Sequence, residues 1–207
     1  MKVGHLLPVT IVKALPGHES YLTQIAGVGL LALFPRKYAG REYKVGDSTL
    51  AAVHWISGSR VLLSQKSPQF IRRIVELVLT DLIAGQKVII KKAAMMSGAR
   101  FAKVAIASQN TSDPLKECLP CLKEAKAYTD DTIILVRYSP KPKEYVANAL
   151  APAPTANIKA VRYYRDKKAE VIVEKDSAGS FLGKGGMNAA TAAKLTGIQI
   201  TIIPSGK

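Results

Sequence analysis

The feature that most constrains this chain is a change in the spacing of its apolar residues at Ser67-Pro68. Before this point, short alternating runs are separated by glycine-containing turns, a pattern typical of β-strands. After it, Ser67 is a candidate N-cap, Pro68 suits a first helical position, and apolar residues follow helical spacing to about Leu82. The chain therefore divides into a β-rich part and a part that contains helices.

The β-rich part covers residues 1–66 and predicts five short strands without a helix. A small closed barrel of the OB-fold type fits this size and strand number better than a sandwich does. Tyr21 lies on the second predicted strand, where such barrels often present a ring to a base. We therefore select Tyr21 as the first candidate for stacking on RNA, with a place in the barrel core as the alternative.

The helix-containing part repeats itself. Residues 67–137 predict the order helix, strand, strand, helix, strand, and residues 138–207 repeat that order. A period of roughly seventy residues is too long for a solenoid unit, so two tandem copies of one α+β domain are the simpler interpretation. The predicted fold class is multidomain, with one β-barrel domain at residues 1–66 followed by the two α+β domains.

The charge of the chain indicates its class of partner. Thirty Lys and Arg residues face fifteen Asp and Glu residues, which gives a net charge of +15, and every predicted domain is basic. An excess of this size predicts a polyanionic partner, with nucleic acid first and an anionic membrane surface second. No run approaches the ~20 apolar residues that a spanning helix needs, and the N-terminus lacks the features of a secretory signal. We expect a cytoplasmic protein.

The sharpest local motif is Gly183-Lys184-Gly185-Gly186, which lies between two predicted short helices. A sugar-phosphate backbone approaches a chain closely only where no Cβ intrudes, and the N–H groups at a helix start then face the phosphates. The motif is too short for a nucleotide-binding P-loop, which excludes an ATPase interpretation. The predicted RNA-binding residues here are Gly183, Lys184, Gly185, Gly186, Met187, Asn188 and Lys175.

The equivalent turn of the first copy falls near residues 117–124 and contains no glycine. Pro120 removes an amide donor there, so this copy is not expected to hold a backbone in the same way. It is expected to contribute basic residues to the RNA-binding surface, and a solvated basic hairpin is the alternative. These residues are Arg100 and Lys103, with Lys91 and Lys92 on the preceding strand.

Catalytic and metal sites are not predicted. Cys118 and Cys121 form one CxxC pair without a second pair or a nearby histidine, whereas a zinc site needs about four ligands. An RNA-processing enzyme would need paired carboxylates or a metal cluster, and Asp130-Asp131 reads as a polar turn. We therefore expect a protein that is not an enzyme and has no cofactor.

Five groups of residues resemble the S1–KH–KH region of the NusA family of bacterial transcription factors. They match the family's barrel turn, its junction between barrel and first KH helix, a strand of the first KH domain, the opening of the second KH domain, and its glycine loop. In this sequence they are Tyr43–Asp47 (YKVGD), Val61–Phe70 (VLLSQKSPQF), Lys103–Ser108 with Asp113-Pro114, Glu144–Pro152 (EYVANALAP), and Leu182–Asn188 with Ala192–Gly197.

The resemblance implies an S1 barrel followed by two type II KH domains. It implies a factor that binds nascent single-stranded RNA and modulates elongation, termination or antitermination by RNA polymerase. We expect a monomer. A ribosome- or RNA-decay-associated protein built from the same domains is the alternative. Two departures from the family pattern stand out. The first KH copy lacks its GxxG motif, and the first barrel strand follows Met1 directly, where the family has a polymerase-binding domain. We therefore expect a short relative or fragment, or a different contact with polymerase.

Overall fold

The computed structural model of the protein describes residues 1–96, 100–108, 110 and 113–206. The chain divides into two compact units. The first contains Met1–Val78 and Cys121–Asp130, and the second contains Leu79–Pro120 and Asp131–Lys207.

The first unit is built on a closed five-stranded barrel with the strand order β1-β2-β3-β5-β4. This confirms the predicted barrel. Alternate residues of the strands point inward, and Val9, Ile11, Phe34 and Leu63 are among the apolar residues that fill the interior. The strands are β1 (Leu6–Leu15), β2 (Ser20–Ile25), β3 (Leu31–Pro35), β4 (Ser48–Ser57) and β5 (Arg60–Ser64).

Helix α1 (Pro68–Val78) follows the barrel and belongs to the same unit. The Ser67 Oγ accepts a hydrogen bond from the Phe70 N–H at 3.1 Å, which confirms the predicted N-cap. The helix buries one apolar stripe, formed by Phe70, Ile71, Ile74 and Val75.

The second unit contains two three-stranded sheets of the same design. In each, the central strand runs antiparallel to the strand before it and parallel to the strand after it. This confirms the predicted repetition of an α+β pattern. The first sheet consists of β6 (Val88–Met95), β7 (Phe101–Ser108) and β8 (Thr132–Arg137), and the second of β9 (Ile158–Tyr164), β10 (Lys168–Val173) and β11 (Gln199–Pro204).

Helices accompany both sheets. Helix α3 (Pro114–Leu122) begins where the Asp113-Pro114 pair predicts a helix start. Two short helices flank the Gly183–Gly186 motif, as predicted. The helices after α1 are α2 (Thr80–Ala84), α3 (Pro114–Leu122), α4 (Pro142–Ala149), α5 (Ala178–Leu182) and α6 (Met187–Thr196).

One hydrophobic core runs through both sheets of the second unit. Ala94, Ala105 and Val136 of the first sheet join Phe181 and Leu195 of the α5–α6 pair in a single buried cluster. The two α+β copies therefore share a core. The boundaries at residues 66/67 and 137/138 stay a prediction.

Within the described ranges, no helix has the length and apolarity that a membrane-crossing segment requires.

Candidate nucleic-acid interface

The Gly183–Gly186 loop turns the chain from α5 into α6 by using backbone conformations that favour glycine. Gly183 has φ 71° and ψ 174°, Gly185 has φ 58° and ψ 26°, and Gly186 has φ 76° and ψ 7°. The conformation of Gly183 lies in a region that is essentially restricted to glycine, and the other two are left-handed. The loop is therefore set by three glycines in four residues.

Gly183 lies against the first turn of α6. A Cβ added to Gly183 would lie 2.7 Å from the Cβ of Asn188 and 3.0 Å from its backbone nitrogen. No side chain fits in that space. The absence of a Cβ at Gly183 therefore serves packing inside the protein.

Asn188 is a support of the loop and not part of its surface. Its side chain is 4% exposed, and its Nδ2 donates hydrogen bonds to the carbonyl oxygens of Leu150 at 2.8 Å and Phe181 at 3.0 Å. The prediction that Asn188 contacts RNA is wrong for this reason. The residue instead fixes the end of α5 relative to the start of α6.

Gly185 and Gly186 form the open side of the loop. A Cβ built on either glycine would meet no atom within 4 Å, so bare backbone faces outward. The Lys184 side chain between Gly183 and Gly185 is exposed. The Gly186 and Met187 N–H groups donate to the Gly183 and Lys184 oxygens within the loop, and the dipole of α6 adds positive potential at this end. This side of the loop can accept a phosphate at close range.

The remaining predicted residues of this region differ in exposure. Lys175 is exposed in a 3₁₀ turn at Lys175–Ser177, whereas Met187 is half-buried at the start of α6. Leu182, which was not among the residues predicted to bind RNA, is 42% exposed directly before the loop. An apolar residue directly before three glycines is the sequence signal that could have added Leu182 to the candidates for RNA binding.

Lys103 is buried and not part of a basic surface, so its predicted role in RNA binding is wrong. Its side chain is 0% exposed, and its Nζ donates hydrogen bonds to the Ala149 oxygen and, at 2.6 Å, to the Ala151 oxygen. Burial lowers the pKa of Lys103 to about 7. The ammonium caps carbonyl groups at the C-terminal end of α4.

The other basic residues predicted for the first copy are exposed. Arg100, Lys91 and Lys92 all reach solvent. The 117–124 segment is helical through the end of α3 at Leu122, and Pro120 lies inside that helix. No glycine opens the backbone there.

Tyr21 is a core residue, so the prediction that it stacks on a base is wrong. Its ring is 1% exposed and packs beside Phe34 and Tyr43 with centroid distances of 6.2 and 6.0 Å. Its hydroxyl accepts a hydrogen bond from the Tyr43 N–H at 3.1 Å. The ring has no free face for a ligand, and the core alternative is correct.

Comparison with known proteins gives a family for the C-terminal part of the chain. Residues 142–207 match the family model of the NusA-like second KH domain. The curated relatives include three proteins called "Transcription termination/antitermination protein NusA". That of Halalkalibacterium halodurans is 32% identical over 154 residues, which is 70% of this chain and 38% of the relative.

The other two relatives give the same range of similarity. The Bacillus subtilis protein is 30% identical over 70% of this chain and 40% of its own length. The Thermus thermophilus protein is 32% identical over 67% of this chain and 33% of its own length. The chain thus spans two fifths or less of the length of each of these three relatives.

Proposed function

We propose that this chain binds single-stranded RNA and modulates transcription, in keeping with the match of residues 142–207 to the NusA-like second KH domain. The observation that carries this proposal is the open backbone of Gly185 and Gly186 at the start of α6. KH domains hold about four nucleotides through such a GxxG loop.

The loop supplies three elements of recognition. Bare backbone allows a sugar-phosphate chain to approach closely. The start of α6 directs the positive end of the helix dipole toward a phosphate oxygen, and Lys184 adds a positive charge beside it. The exposed Leu182 offers an apolar surface for a neighbouring base or sugar.

The charge of the whole chain adds a second, less specific contribution. A net charge of +15 draws any polyanion to the surface, and binding that releases counterions weakens steeply with salt. The loop then determines where one stretch of the RNA is held.

The transcriptional part of the proposal comes from the relatives. Their names assign them to transcription termination and antitermination. We propose the same process for this chain, with RNA polymerase as a partner, and no catalytic role.

Replacing both Lys184 and Gly185 by Asp tests the RNA-binding site. Two carboxylates at the open side of the loop repel phosphate, so the affinity for single-stranded RNA should fall by more than about tenfold, which is 1.4 kcal/mol. A filter-binding assay measures the affinity, and far-UV circular dichroism shows that the variant is folded.

A matched control is available because Lys143 is exposed and Gly17 has open space around it and no positive φ. The Lys143→Asp/Gly17→Asp variant makes the same chemical and charge change away from the loop. If both variants bind RNA equally, the loop is not the binding site.

A further inference from the structure

A groove of about 590 Å³ lies in the second unit, away from the glycine loop. It is an open cleft and not a closed cavity, and its volume is in the range of ligand-binding sites. The lining residues that matter here are Lys91, Lys92, Tyr138, Tyr163, Lys167 and Gly197.

The groove reaches the C-terminal end of α6, whereas the glycine loop lies at its N-terminal start. The helix has 10 residues, which places its two ends roughly 15 Å apart. Gly197 ends the helix with φ 74°, and the Lys92 Nζ lies 3.9 Å from the position that a Cβ on Gly197 would take. The Lys92 ammonium therefore offsets the partial negative charge of this helix end.

Two further lysines leave the groove with an excess of positive charge. Lys91 and Lys167 are exposed, and among the residues that the structure describes neither forms an ion pair. The acid closest to Lys167 in the sequence, Asp166, pairs with Lys168 at 2.6 Å. The described residues that line the groove include no Asp or Glu. Its charge is therefore complementary to an anion.

Aromatic rings line the same groove. Tyr138 and Tyr163 are half-buried, and the Lys91 Nζ lies 5.5 Å from the centroid of the Tyr138 ring. The wall behind them contains Tyr145, which is buried and whose pKa burial raises to about 12. That phenol stays neutral and its O–H donates a hydrogen bond to the Leu195 oxygen at 3.4 Å, so it adds no negative charge.

We propose that this groove binds a second segment of single-stranded RNA, with phosphates beside Lys91 and Lys167 and bases against the tyrosine rings. Cations alone would suit any acidic ligand, but cations interleaved with partly exposed rings are the surface that single strands use. The inference rests on the proposed function, because the same RNA would occupy the glycine loop. Because Lys91 belongs to the first α+β copy and Lys167 to the second, the footprint would extend over both copies, beyond the four nucleotides of one loop.

The test compares the Lys91→Gln/Lys167→Gln variant of the full chain with wild type, by using RNA of about four and about twelve nucleotides. The short RNA fills only the loop and should bind both proteins equally. The long RNA reaches the groove, and its affinity should fall about three- to tenfold in the variant, with a smaller dependence on salt. A 4-thiouridine-labelled long RNA should crosslink to peptides that contain Tyr138 or Tyr163.

The control variant is Lys116→Gln/Lys143→Gln, which removes two exposed lysines of the same unit that do not line the groove. If the groove variant matches this control for both RNAs while the Lys184→Asp/Gly185→Asp variant weakens both, the groove inference is overturned and the loop remains the site. If the loop variant binds both RNAs like wild type, the proposed function fails. If an oligoglutamate peptide displaces the groove crosslinks as well as RNA of equal charge does, the groove serves an acidic protein partner and the inference is wrong.

Discussion

Lys103 and Asn188 are polar residues that the fold buries around one short segment. Lys103 donates to the oxygens of Ala149 and Ala151, and Asn188 donates to the oxygen of Leu150 between them. These three carbonyls follow one another where α4 ends, and carbonyl groups at a helix end lack intrahelical partners. Two side chains from β7 and α6 therefore replace the hydrogen bonds that the helix cannot supply.

The buried ammonium of Lys103 makes stability depend on pH in a direction that can be tested. Its pKa is about 7 in the folded protein, against 10.5 for an ordinary lysine, so between these values the unfolded chain binds more protons. Stability should then rise with pH across this window, by at most about 1.4 kcal/mol per pH unit. Below pH 7 both states are protonated, and the full cost of burying the charge is present.

The Lys103→Met variant isolates this contribution, because other lysines and tyrosines titrate equally in both proteins. Urea unfolding of wild type and variant from pH 6 to about pH 10 gives the difference in free energy of unfolding. We expect that difference to change in favour of wild type as the pH rises above 7. Parallel pH profiles would show that Lys103 keeps an ordinary pKa.

At the scale of elements, the loop uses glycine at two positions for two different reasons. Gly183 lacks a side chain because α6 packs against it, and Gly185 lacks one on a face that is open. Both conformations disfavour side chains, at a cost of roughly 1–2 kcal/mol for a left-handed residue. Only Gly183 adds a steric clash with Asn188.

We therefore predict that alanine substitutions at Gly183 and Gly185 rank in opposite order for loss of stability and for loss of RNA affinity. Gly183→Ala should lower the free energy of unfolding more than Gly185→Ala does, because its Cβ would meet Asn188 at 2.7 Å. Gly185→Ala should cost only about 1–2 kcal/mol and should weaken RNA binding by putting a Cβ where a phosphate approaches. Thermal unfolding and RNA titration of both variants measure the two rankings. Equal destabilisation by both substitutions would contradict the packing role of Gly183.

Element types were predictable from the sequence because local signals coincided with the fold. Ser67 and Asp113 stand where the helices α1 and α3 start, and glycines mark the loop before α6. Exposure within a strand was harder to predict. Tyr21 lies on the same inward face of β2 as Thr23 and Ile25, and this phase is visible only once the barrel closes. Lys103 lies on β7, the central strand of its sheet, where Ala102–Ile106 are all buried, so alternation exposes no residue.

At the scale of the whole molecule, the net charge of +15 complicates any assay with RNA. A polycation binds polyanions without a dedicated site, and that binding dominates at low salt. By contrast, the shared core of the two α+β copies and the hydrogen bonds of Asn188 hold one defined loop in place, and the net charge does not depend on how that loop is folded. An experiment on function must therefore hold the charge constant while it changes the loop.

The charge is held constant when two variants of equal net charge are compared in transcription by purified bacterial RNA polymerase, on a template with a pause site and a terminator. If the chain modulates transcription through the loop, added wild-type protein should change pausing or termination, and the Lys184→Asp/Gly185→Asp variant should lose this effect. The Lys143→Asp/Gly17→Asp variant has the same net charge and should keep it. Equal loss in both variants would assign the effect to charge alone, because both changes weaken counterion release alike. An unchanged transcript pattern with wild type, together with intact RNA binding, would place the protein in another RNA process.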